Sequence, residues 1–378
     1  MRIAIICHPV MGGSGVVATE LAKALACRGH DVHLLSSSLP FRYTDCLPQL
    51  HFHQVVPLDY PLFQYRPYES SLAGKIIELV HRGVEVFHVH YALPHAISAY
   101  LAQQALAQEG KSLSLITTLH GTDTLLAEQE PILQPIIRLS LEHSQFVTAV
   151  SHSLAHQSQQ TFNLSQTPIV IPNFIDTTEF SPSRYCAKLR SHYATEDEIL
   201  LVHASNFRPI KRPQFLLKLL EELREIGIPA KLLMIGDGPE RPICEKITRE
   251  KGLSEIVCFE GARTDIAAFL AIGDIFVLAS KYESFGLAAL EALSCGVPVV
   301  APRVGGLPEL LEGGGGILYE PHDLQGAVYA ILRILENLPL LREKARANAL
   351  LYATQSVVTQ YENLYERARV SVESLGPL

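Results

Sequence analysis

Two glutamates, Glu283 and Glu291, flank the start of an apolar segment in the second half of the sequence. Glu291 is the only charged residue within 285–297, and the pattern there predicts a helix that is buried on most of its faces. A carboxylate in such surroundings needs a hydrogen-bonding partner, because burying an unpaired charge is costly. Ser284 is the candidate N-cap of this helix. The backbone amides that would then be open to a phosphate are those of Phe285, Gly286 and Leu287. The alternative is a capped core helix with one satisfied glutamate.

A glycine-rich run, Gly12-Gly13-Ser14-Gly15, lies between the first predicted strand and the first predicted helix. Backbone amides in such a turn can cradle a phosphate. The run lacks the full Gly-x-Gly-x-x-Gly spacing, and the second predicted strand ends in serines 36–38 with no acidic residue for a ribose. A nicotinamide site is therefore disfavoured, and the run alone is a weak signal.

Three cations follow the first predicted strand of the second half: Arg208, Lys211 and Arg212. In a chain with a formal net charge of −8, such a cluster at a strand end is typical of an anion clamp, the alternative being a solvated loop. The next strand ends in Gly236-Asp237-Gly238-Pro239-Glu240, where Pro239 suits the first turn of a helix. The glycines of that turn leave room for a flat ring.

Histidines mark two further strand ends. His88-Val89-His90 places two imidazoles on one face of a strand, and no third metal ligand is evident nearby, which favours core or pocket-lining histidines over a metal site. Thr117-Thr118-Leu119-His120-Gly121-Thr122-Asp123 ends an apolar strand. There Gly121 permits close approach of a ligand and His120 could donate a hydrogen bond to it; the alternative is a polar strand-end turn.

Apolar strands alternate with helical patterns along both halves, which predicts parallel, doubly wound α/β sheets. The predicted elements include strands over 86–90, 114–119, 199–204 and 316–319 and a helix over 94–107. A chain of 378 residues is expected to form two domains. The predicted division is 1–168, 169–355 and a C-terminal helix within 356–378 that packs back on the first domain, with a hinge near 165–185. Every candidate motif lies at the carboxyl end of a predicted strand, where ligands gather in such sheets.

Composition excludes several classes of protein. The net charge of −8 argues against nucleic acid as the main partner, and no apolar run reaches the ~18 residues that a membrane span needs. The short apolar N-terminus leads straight into a glycine loop and is interpreted as a strand, not a signal peptide, so a cytoplasmic location is expected. The seven cysteines are scattered without a Cys-x-x-Cys pair, which favours free thiols.

These residues resemble the GT-B retaining glycosyltransferases of family 4 over essentially the whole chain. The resemblance rests on the Glu-x7-Glu spacing of Glu283 and Glu291, on Lys211, on 236–240, and on Gly305-Gly306-x-Pro308-Glu309. It implies two Rossmann-like, doubly wound parallel-sheet domains that face each other across a cleft.

More narrowly, segments 88–96, 117–123 and 205–209 are similar to the branch of that family that makes the first intermediate of bacillithiol. That branch transfers N-acetylglucosamine from UDP-N-acetylglucosamine to the hydroxyl of L-malate and releases UDP. The resemblance implies no metal or other cofactor, no nucleic-acid or membrane partner, and it allows a homo-oligomer. The alternatives are a family 4 enzyme with an inositol phosphate, lipid or glycan acceptor, and a non-enzymatic sugar-nucleotide sensor.

The resemblance also implies roles for single residues. Glu291 would hold the ribose, Glu283 a hydroxyl of the transferred sugar, and Lys211 the diphosphate. The diphosphate would also meet amides of Gly13, Ser14, Gly15, Phe285, Gly286 and Leu287. Gly236 and the 261–263 loop with Arg263 would face the uracil, and His120 would touch the sugar near the reacting carbon. His120, Lys211 and Glu283 are thus the predicted catalytic residues.

One position departs from the family pattern, because Asn206 stands where the family has an arginine five residues before the lysine. Arg208 either supplies the missing charge or serves the acceptor. Asn206 and Arg208 are therefore predicted both as donor-site and as acceptor-site residues. The remaining predicted acceptor contacts are Ser14, Tyr91 and Thr118.

Overall fold

The computed structural model describes residues 1–9, 12–44, 46–62 and 64–373. It divides the chain into two compact units. The first unit contains Met1–Asn173 together with the segment that starts at Gln355, and the second contains Phe174–Thr354. The predicted divisions lay after residues 168 and 355. The last five residues of the predicted C-terminal segment, 374–378, lie outside the described residues.

The first unit is built on a seven-stranded parallel sheet. Its strands are β1 Arg2–Ile6, β2 Asp31–Ser36, β3 Leu50–Gln54, β4 Val86–His90, β5 Ser114–Leu119, β6 Phe146–Ala149 and β7 Ile169–Val170. The strand order is β3-β2-β1-β4-β5-β6-β7, so the winding direction reverses between β1 and β4. Ile3 to Ile6 of β1 are fully buried, as expected of a central strand that has helices on both faces.

Helices connect these strands on both sides of the sheet. They are α1 Gly13–Cys27, α2 Tyr68–His81, α3 Ile97–Ala107, α4 Thr122–Gln129, α5 Gln134–Glu142 and α6 His152–Phe162. The predicted helix 94–107 begins later than expected, because a π-turn over Ala92–Ala96 precedes α3. Tyr91, just before that turn, has φ +83°, a left-handed conformation that is unusual for a residue with a side chain.

The second unit contains a six-stranded parallel sheet. Its strands are β8 Ile199–Ala204, β9 Ala230–Ile235, β10 Val257–Gly261, β11 Ile275–Val277, β12 Val299–Pro302 and β13 Gly316–Tyr319. The order is β10-β9-β8-β11-β12-β13, with its reversal between β8 and β11. The unit thus has the same doubly wound arrangement as the first, as predicted from the alternation of strands and helices.

The helices of the second unit complete its core. They are α7 Ala187–Tyr193, α8 Pro213–Glu225, α9 Arg241–Glu250, α10 Ile266–Ala271, α11 Leu287–Ser294, α12 Leu307–Leu311, α13 Leu324–Leu335 and α14 Leu338–Leu350. The apolar face of α8, which includes Leu216, Leu217 and Leu220, packs on β8 and β9 in one continuous core. Three α-helices of the described residues were not predicted from sequence: α7 and α14 here, and α4 in the first unit. Helices α10 and α12 lie in gaps between strands, where helices were expected.

A last helix, α15 Thr354–Glu373, packs on the first unit. Arg28, the C-cap residue of α1, donates to the Glu362 carboxylate at 2.5 Å, and the Tyr365 hydroxyl lies 2.7 Å from His88 Nδ1 of β4. Tyr361 and Tyr365 are among the largest fully buried side chains of the chain. Within the described residues, no helix is both long and apolar enough to cross a bilayer.

Candidate functional site

A partly buried ion pair lies where the winding of the second sheet reverses. Lys211 follows β8, and its Nζ lies 2.5 Å from Oε1 of Glu283, which follows β11. Ser280 Oγ donates to the same Oε1 at 2.7 Å. The two charged side chains are only 18% and 12% exposed, so solvent screens the pair weakly. Glu283 Oε2 has no protein partner in the described ranges, and this leaves one oxygen for a ligand hydroxyl.

A directed chain of hydrogen bonds holds the loop that carries Lys211. His203 Nδ1 lies 2.9 Å from the Val277 carbonyl, which can only accept, so this nitrogen bears the hydrogen. Burial lowers the pKa of His203 to about 4, so its Nε2 is an acceptor for the Ser205 hydroxyl at 2.9 Å. Ser205 Oγ in turn accepts from the Phe207 amide at 3.2 Å. The chain ties the loop after β8 to strand β11.

Two glycines let the loops of this site pack backbone to backbone. Gly236 has φ +117°, and a Cβ there would stand 1.8 Å from the Ser205 carbonyl oxygen. Gly305 has φ +53°, and a Cβ there would stand 1.9 Å from the Glu283 carbonyl oxygen. The Gly306 amide donates to that same carbonyl at 2.9 Å. A side chain at either position would displace the residues that the site depends on.

The predicted N-cap of the helix after Glu283 is wrong. Helix α11 begins at Leu287, and its N-cap is Gly286 with φ +98°, not Ser284. The reason is steric, since a Cβ on Gly286 would stand 2.6 Å from Leu307 Cδ2, so only glycine fits at this turn. The prediction that the helix is buried is confirmed: Ala289 to Ser294 are buried and Glu291 is only 6% exposed.

The other predicted site residues of the second unit differ in whether their side chains already form hydrogen bonds or ion pairs within the protein. Arg208 is exposed and forms no ion pair with any described residue. Asn206 Oδ1 is buried without a hydrogen-bond partner in the described part of the chain. Arg263 forms a bidentate ion pair with Asp265, in which Nε donates to Oδ1 and Nη2 to Oδ2, each at 3.0 Å. Its guanidinium also lies over the Phe269 ring. Arg208 and Asn206 therefore have unused binding capacity, whereas Arg263 is committed to a neighbour.

In the first unit, the reversal point between β1 and β4 brings Ser14 and Tyr91 together. Ser14 lies in the first turn of α1, which follows β1, and its Oγ is 2.8 Å from the Tyr91 hydroxyl. Gly13 and Gly15 lie in the same first turn, after Gly12 at the N-cap. This is the crevice position that ligands occupy in doubly wound sheets.

A buried carboxylate that the sequence analysis quoted without a role shapes this region. Asp123 Oδ1 accepts from the Ala92 and Leu93 amides at 3.1 and 3.2 Å, directly after Tyr91. Its Oδ2 is buried with no partner in the described residues, and burial raises the pKa of Asp123 to about 7. Asp123 thus holds the turn that presents Tyr91. Asp123 lies in the first turn of α4, where acidic residues are favoured. The sequence analysis did not predict this helix and therefore assigned Asp123 no role.

Four buried histidines surround the same strand ends. His88 Nε2 lies 2.6 Å from Thr118 Oγ1, which also contacts Thr148 at 2.6 Å, and His90 Nδ1 lies 2.8 Å from His120 Nε2. Thr118 is fully buried, so its hydroxyl belongs to this internal network. Burial lowers the pKa of three of them to about 3: His88, His95 and His120. Within residues 1–9, 12–44, 46–62 and 64–373, no group of three or more His, Cys, Asp or Glu side chains is arranged to hold a metal ion.

The fold and the two strand-end sites define a class of protein, and sequence comparison identifies it. Residues 11–179 match the model of Glycosyltransferase Family 4, and residues 187–351 match that of Glycosyl transferases group 1. The chain therefore belongs to the glycosyltransferases that combine these two domains, which confirms the resemblance inferred from its motifs.

Among individual relatives, the N-acetyl-alpha-D-glucosaminyl L-malate synthase of Bacillus anthracis is 40% identical over 97% of this chain and 96% of its own length. One component of the phosphatidylinositol N-acetylglucosaminyltransferase of Homo sapiens is 26% identical over 98% of this chain and 76% of its own. Of solved structures, Anabaena HepE in complex with UDP and glucose aligns with a TM-score of 0.81 at 21% identity, covering 97% of this chain and 99% of the other. The predicted GT-B fold with two Rossmann-like domains is confirmed.

Proposed function

We propose that this glycosyltransferase moves N-acetylglucosamine from UDP-N-acetylglucosamine to the hydroxyl of L-malate, with retention of the α configuration and release of UDP. The observation that carries the proposal is the 40% identity, over nearly the full length of both chains, to a relative named N-acetyl-alpha-D-glucosaminyl L-malate synthase. The narrower likeness of segments 88–96, 117–123 and 205–209 to that branch supports the same substrates.

The second unit has the chemistry that a nucleotide-sugar donor requires. In the transfer, negative charge grows on the leaving diphosphate, and fixed cations and oriented amides stabilise such charge most effectively. Lys211 is held in place by Glu283, and Arg208 is exposed without an ion pair in the described residues. We assign the diphosphate to Lys211 and to the amides before α11. Glu283 Oε2 would bind a hydroxyl of the transferred sugar, and Glu291 the ribose.

Metal independence is part of the proposal. Lys211, Arg208 and the amides would supply the positive charge that a divalent cation provides in other transferases. Activity should then persist in excess EDTA, and a requirement for added Mg²⁺ or Mn²⁺ would contradict this part. The cytoplasmic location and the homo-oligomeric state that the sequence allows stay predictions.

The first unit is assigned to the acceptor. Ser14 Oγ and the Tyr91 hydroxyl are 2.8 Å apart at the reversal point, so one of them donates to the other and the second keeps its hydrogen to donate to a malate carboxylate. In a retaining transfer, the malate hydroxyl would attack the anomeric carbon from the face that UDP leaves. Asn206 and Arg208 are proposed to share the donor diphosphate and the second malate carboxylate, in a division that single substitutions would resolve.

One observation favours a second candidate, a different acceptor. The human relative that aligns over 98% of this chain is named as a component of a phosphatidylinositol N-acetylglucosaminyltransferase, which points to an inositol-containing acceptor with the same transferred sugar. Its identity is 26%, against 40% for the malate synthase, so the malate proposal is the stronger.

The test is a coupled assay of UDP release from UDP-N-acetylglucosamine, run with L-malate, D-malate, inositol 1-phosphate or no acceptor, with mass spectrometry of the product. Release that depends on L-malate, together with a product of N-acetylhexosaminyl-malate mass, supports the proposal. Release that depends on inositol phosphate and not on malate overturns it in favour of the second candidate. Binding of the donor without release under any acceptor would favour a sugar-nucleotide sensor.

A further inference from the structure

The second histidine of the His88-Val89-His90 run has no role in the proposed function. His90 ends β4 and is fully buried, and it lies beside His120, which follows the neighbouring strand β5. His90 Nδ1 and His120 Nε2 are 2.8 Å apart, and the two rings stack with centroids 5.1 Å apart. At that separation one hydrogen lies between the two nitrogens, so one ring donates and the other accepts.

Both rings are neutral at physiological pH, because burial lowers the pKa of His120 to about 3 and that of His90 well below its usual value. Each imidazole therefore carries a single hydrogen, and two arrangements remain. If His120 donates from Nε2, His90 must carry its own hydrogen on Nε2. If His90 donates from Nδ1, its Nε2 carries only a lone pair.

The surroundings of His90 Nε2 distinguish the two arrangements. This atom is buried and has no hydrogen-bond partner among the described residues. A buried N–H without a partner is rarer in proteins than an acceptor that lacks one. The arrangement that leaves only a lone pair on His90 Nε2 is therefore the favoured one.

We propose that His90 donates its Nδ1 hydrogen to His120 Nε2 and thereby fixes His120 as the Nδ1–H tautomer. His120 then offers a hydrogen-bond donor at Nδ1, an atom with no partner in the described part of the chain, to an oxygen of the transferred sugar or its leaving group. His90 is a positioning residue that acts through His120. The role in transfer rests on the proposed function, whereas the tautomer does not.

The tautomer can be measured on the full-length protein without substrate. Two-bond ¹⁵N–¹H correlation spectra of histidine-labelled protein at pH 7.5 report which imidazole nitrogen is protonated, and the His120→Asn variant assigns the His120 signals. We expect a protonated Nδ1 and an unprotonated Nε2 for His120. A protonated Nε2, or signals averaged between the two forms, overturns the proposal whether or not the transfer reaction has been assigned correctly.

Substitutions then connect the tautomer to the reaction. His90→Asn keeps an amide donor near the position of Nδ1, and we expect the His120 signals and kcat to stay within about 3-fold of the original. His90→Leu removes the donor, and we expect His120 to lose the Nδ1–H preference and kcat to fall about 10-fold, with the KM for malate little changed. Equal losses of kcat in both variants would mean a packing role only and would overturn the proposal.

His88→Asn is the matched control, because His88 is an equally buried histidine of the same strand that does not hydrogen-bond His120. Its substitution should leave the tautomer of His120 unchanged. A change as large as that in His90→Leu would show that any disturbance of the buried histidines shifts His120, and would overturn the specific role of His90. If His90→Leu fails to fold, the spectrum of the unsubstituted protein still decides the proposal.

Discussion

The two units share one topology but differ in the chemistry of their strand ends. In each, the strand order reverses at a point where polar side chains meet, Ser14 with Tyr91 in the first unit and Lys211 with Glu283 in the second. The first unit surrounds its reversal point with hydroxyls and neutral, buried histidines. The second places a lysine–glutamate pair there. The topology thus brings polar side chains together at corresponding places in the two units, and the identity of those side chains decides whether the place offers neutral donors or fixed charge.

Burial is the physical origin of this difference. His88, His90 and His95 are fully buried in the first unit, where charge is disfavoured, whereas the side chains of Lys211 and Glu283 keep some contact with water and with each other. In the described residues of the second unit, only His203 is a histidine with a lowered pKa. The comparison therefore predicts different responses of the two units to pH and to substitution.

The largest expected effect is selective acid lability of the first unit. A histidine with a lowered folded pKa stays neutral in the folded state, while the unfolded chain takes up a proton below pH ~6.5, so its stability contribution is lost as pH falls. Between pH 7.5 and pH 5, we expect each of His88, His95 and His120 to lower the free energy of unfolding by about 2 kcal/mol. Asp123 offsets part of this loss, because its raised pKa costs stability as pH rises from about 4 to 7 and returns it on acidification.

Hydrogen–deuterium exchange at pH 7.5 and pH 5, corrected for intrinsic exchange rates, measures this difference. Peptides of β1, β4 and β5 should lose protection at pH 5, while those of β8 and β9 keep it. Equal loss of protection in both units would show that the buried histidines do not set the acid stability of the first unit.

The next largest effect concerns the charged pair of the second unit. Lys211→Ala should lower kcat about 10²- to 10³-fold, equivalent to about 3–4 kcal/mol, because a fixed cation is lost where charge develops on the diphosphate. The measurement is UDP release at saturating donor and acceptor. Lys218→Ala on α8 is the control, since Lys218 is exposed and makes no ion pair in the described residues. A Lys211→Ala variant with kcat within 3-fold of the original would remove the diphosphate clamp from the mechanism.

A third prediction distinguishes two causes of lost stability when a glycine with positive φ is replaced by alanine. One is a steric clash with the neighbouring backbone, and the other is the strain of a left-handed conformation. Gly305→Ala should lower the free energy of unfolding by more than about 2 kcal/mol and disturb Glu283, because its Cβ would overlap the Glu283 carbonyl. Gly227→Ala has a similar φ, +83°, but open space around the added methyl, and should cost only about 1 kcal/mol. Thermal unfolding of both variants provides the comparison, and equal losses would argue against close packing at Gly305.

The smallest effect is expected at the neutral reversal point of the first unit. Tyr91→Phe removes one neutral hydrogen bond with Ser14, so the KM for malate should rise about 5- to 10-fold, equivalent to about 1 kcal/mol, with the KM for the donor unchanged. Tyr329→Phe is the control, because Tyr329 is 62% exposed in the other unit. A rise in the KM for the donor instead of malate would reverse the assignment of the acceptor to the first unit.

The sequence alone determined the doubly wound arrangement and the bounds of several strands. Four strands have the predicted bounds, β4, β5, β8 and β13, because apolar and β-branched residues predominate in each of them. The burial of Glu291 also followed from its apolar neighbours. The alternation of strands and helices sufficed for the doubly wound fold, which in turn places ligand-binding residues at the carboxyl ends of the strands.

Only the tertiary structure decided which of these residues contact each other. Ser284 is a residue type that favours the N-cap position, but the helix begins after Gly286 instead. The Leu307 side chain, from a later segment of the chain, leaves no room for a Cβ atom at that turn. Asp123 acquired its role from amides some thirty residues earlier, and the contact of His90 with His120 depends on the register of β4 against β5. Local patterns predict elements because they record burial along the chain. Hydrogen bonds between strand ends depend on packing and register, which no single stretch of sequence contains.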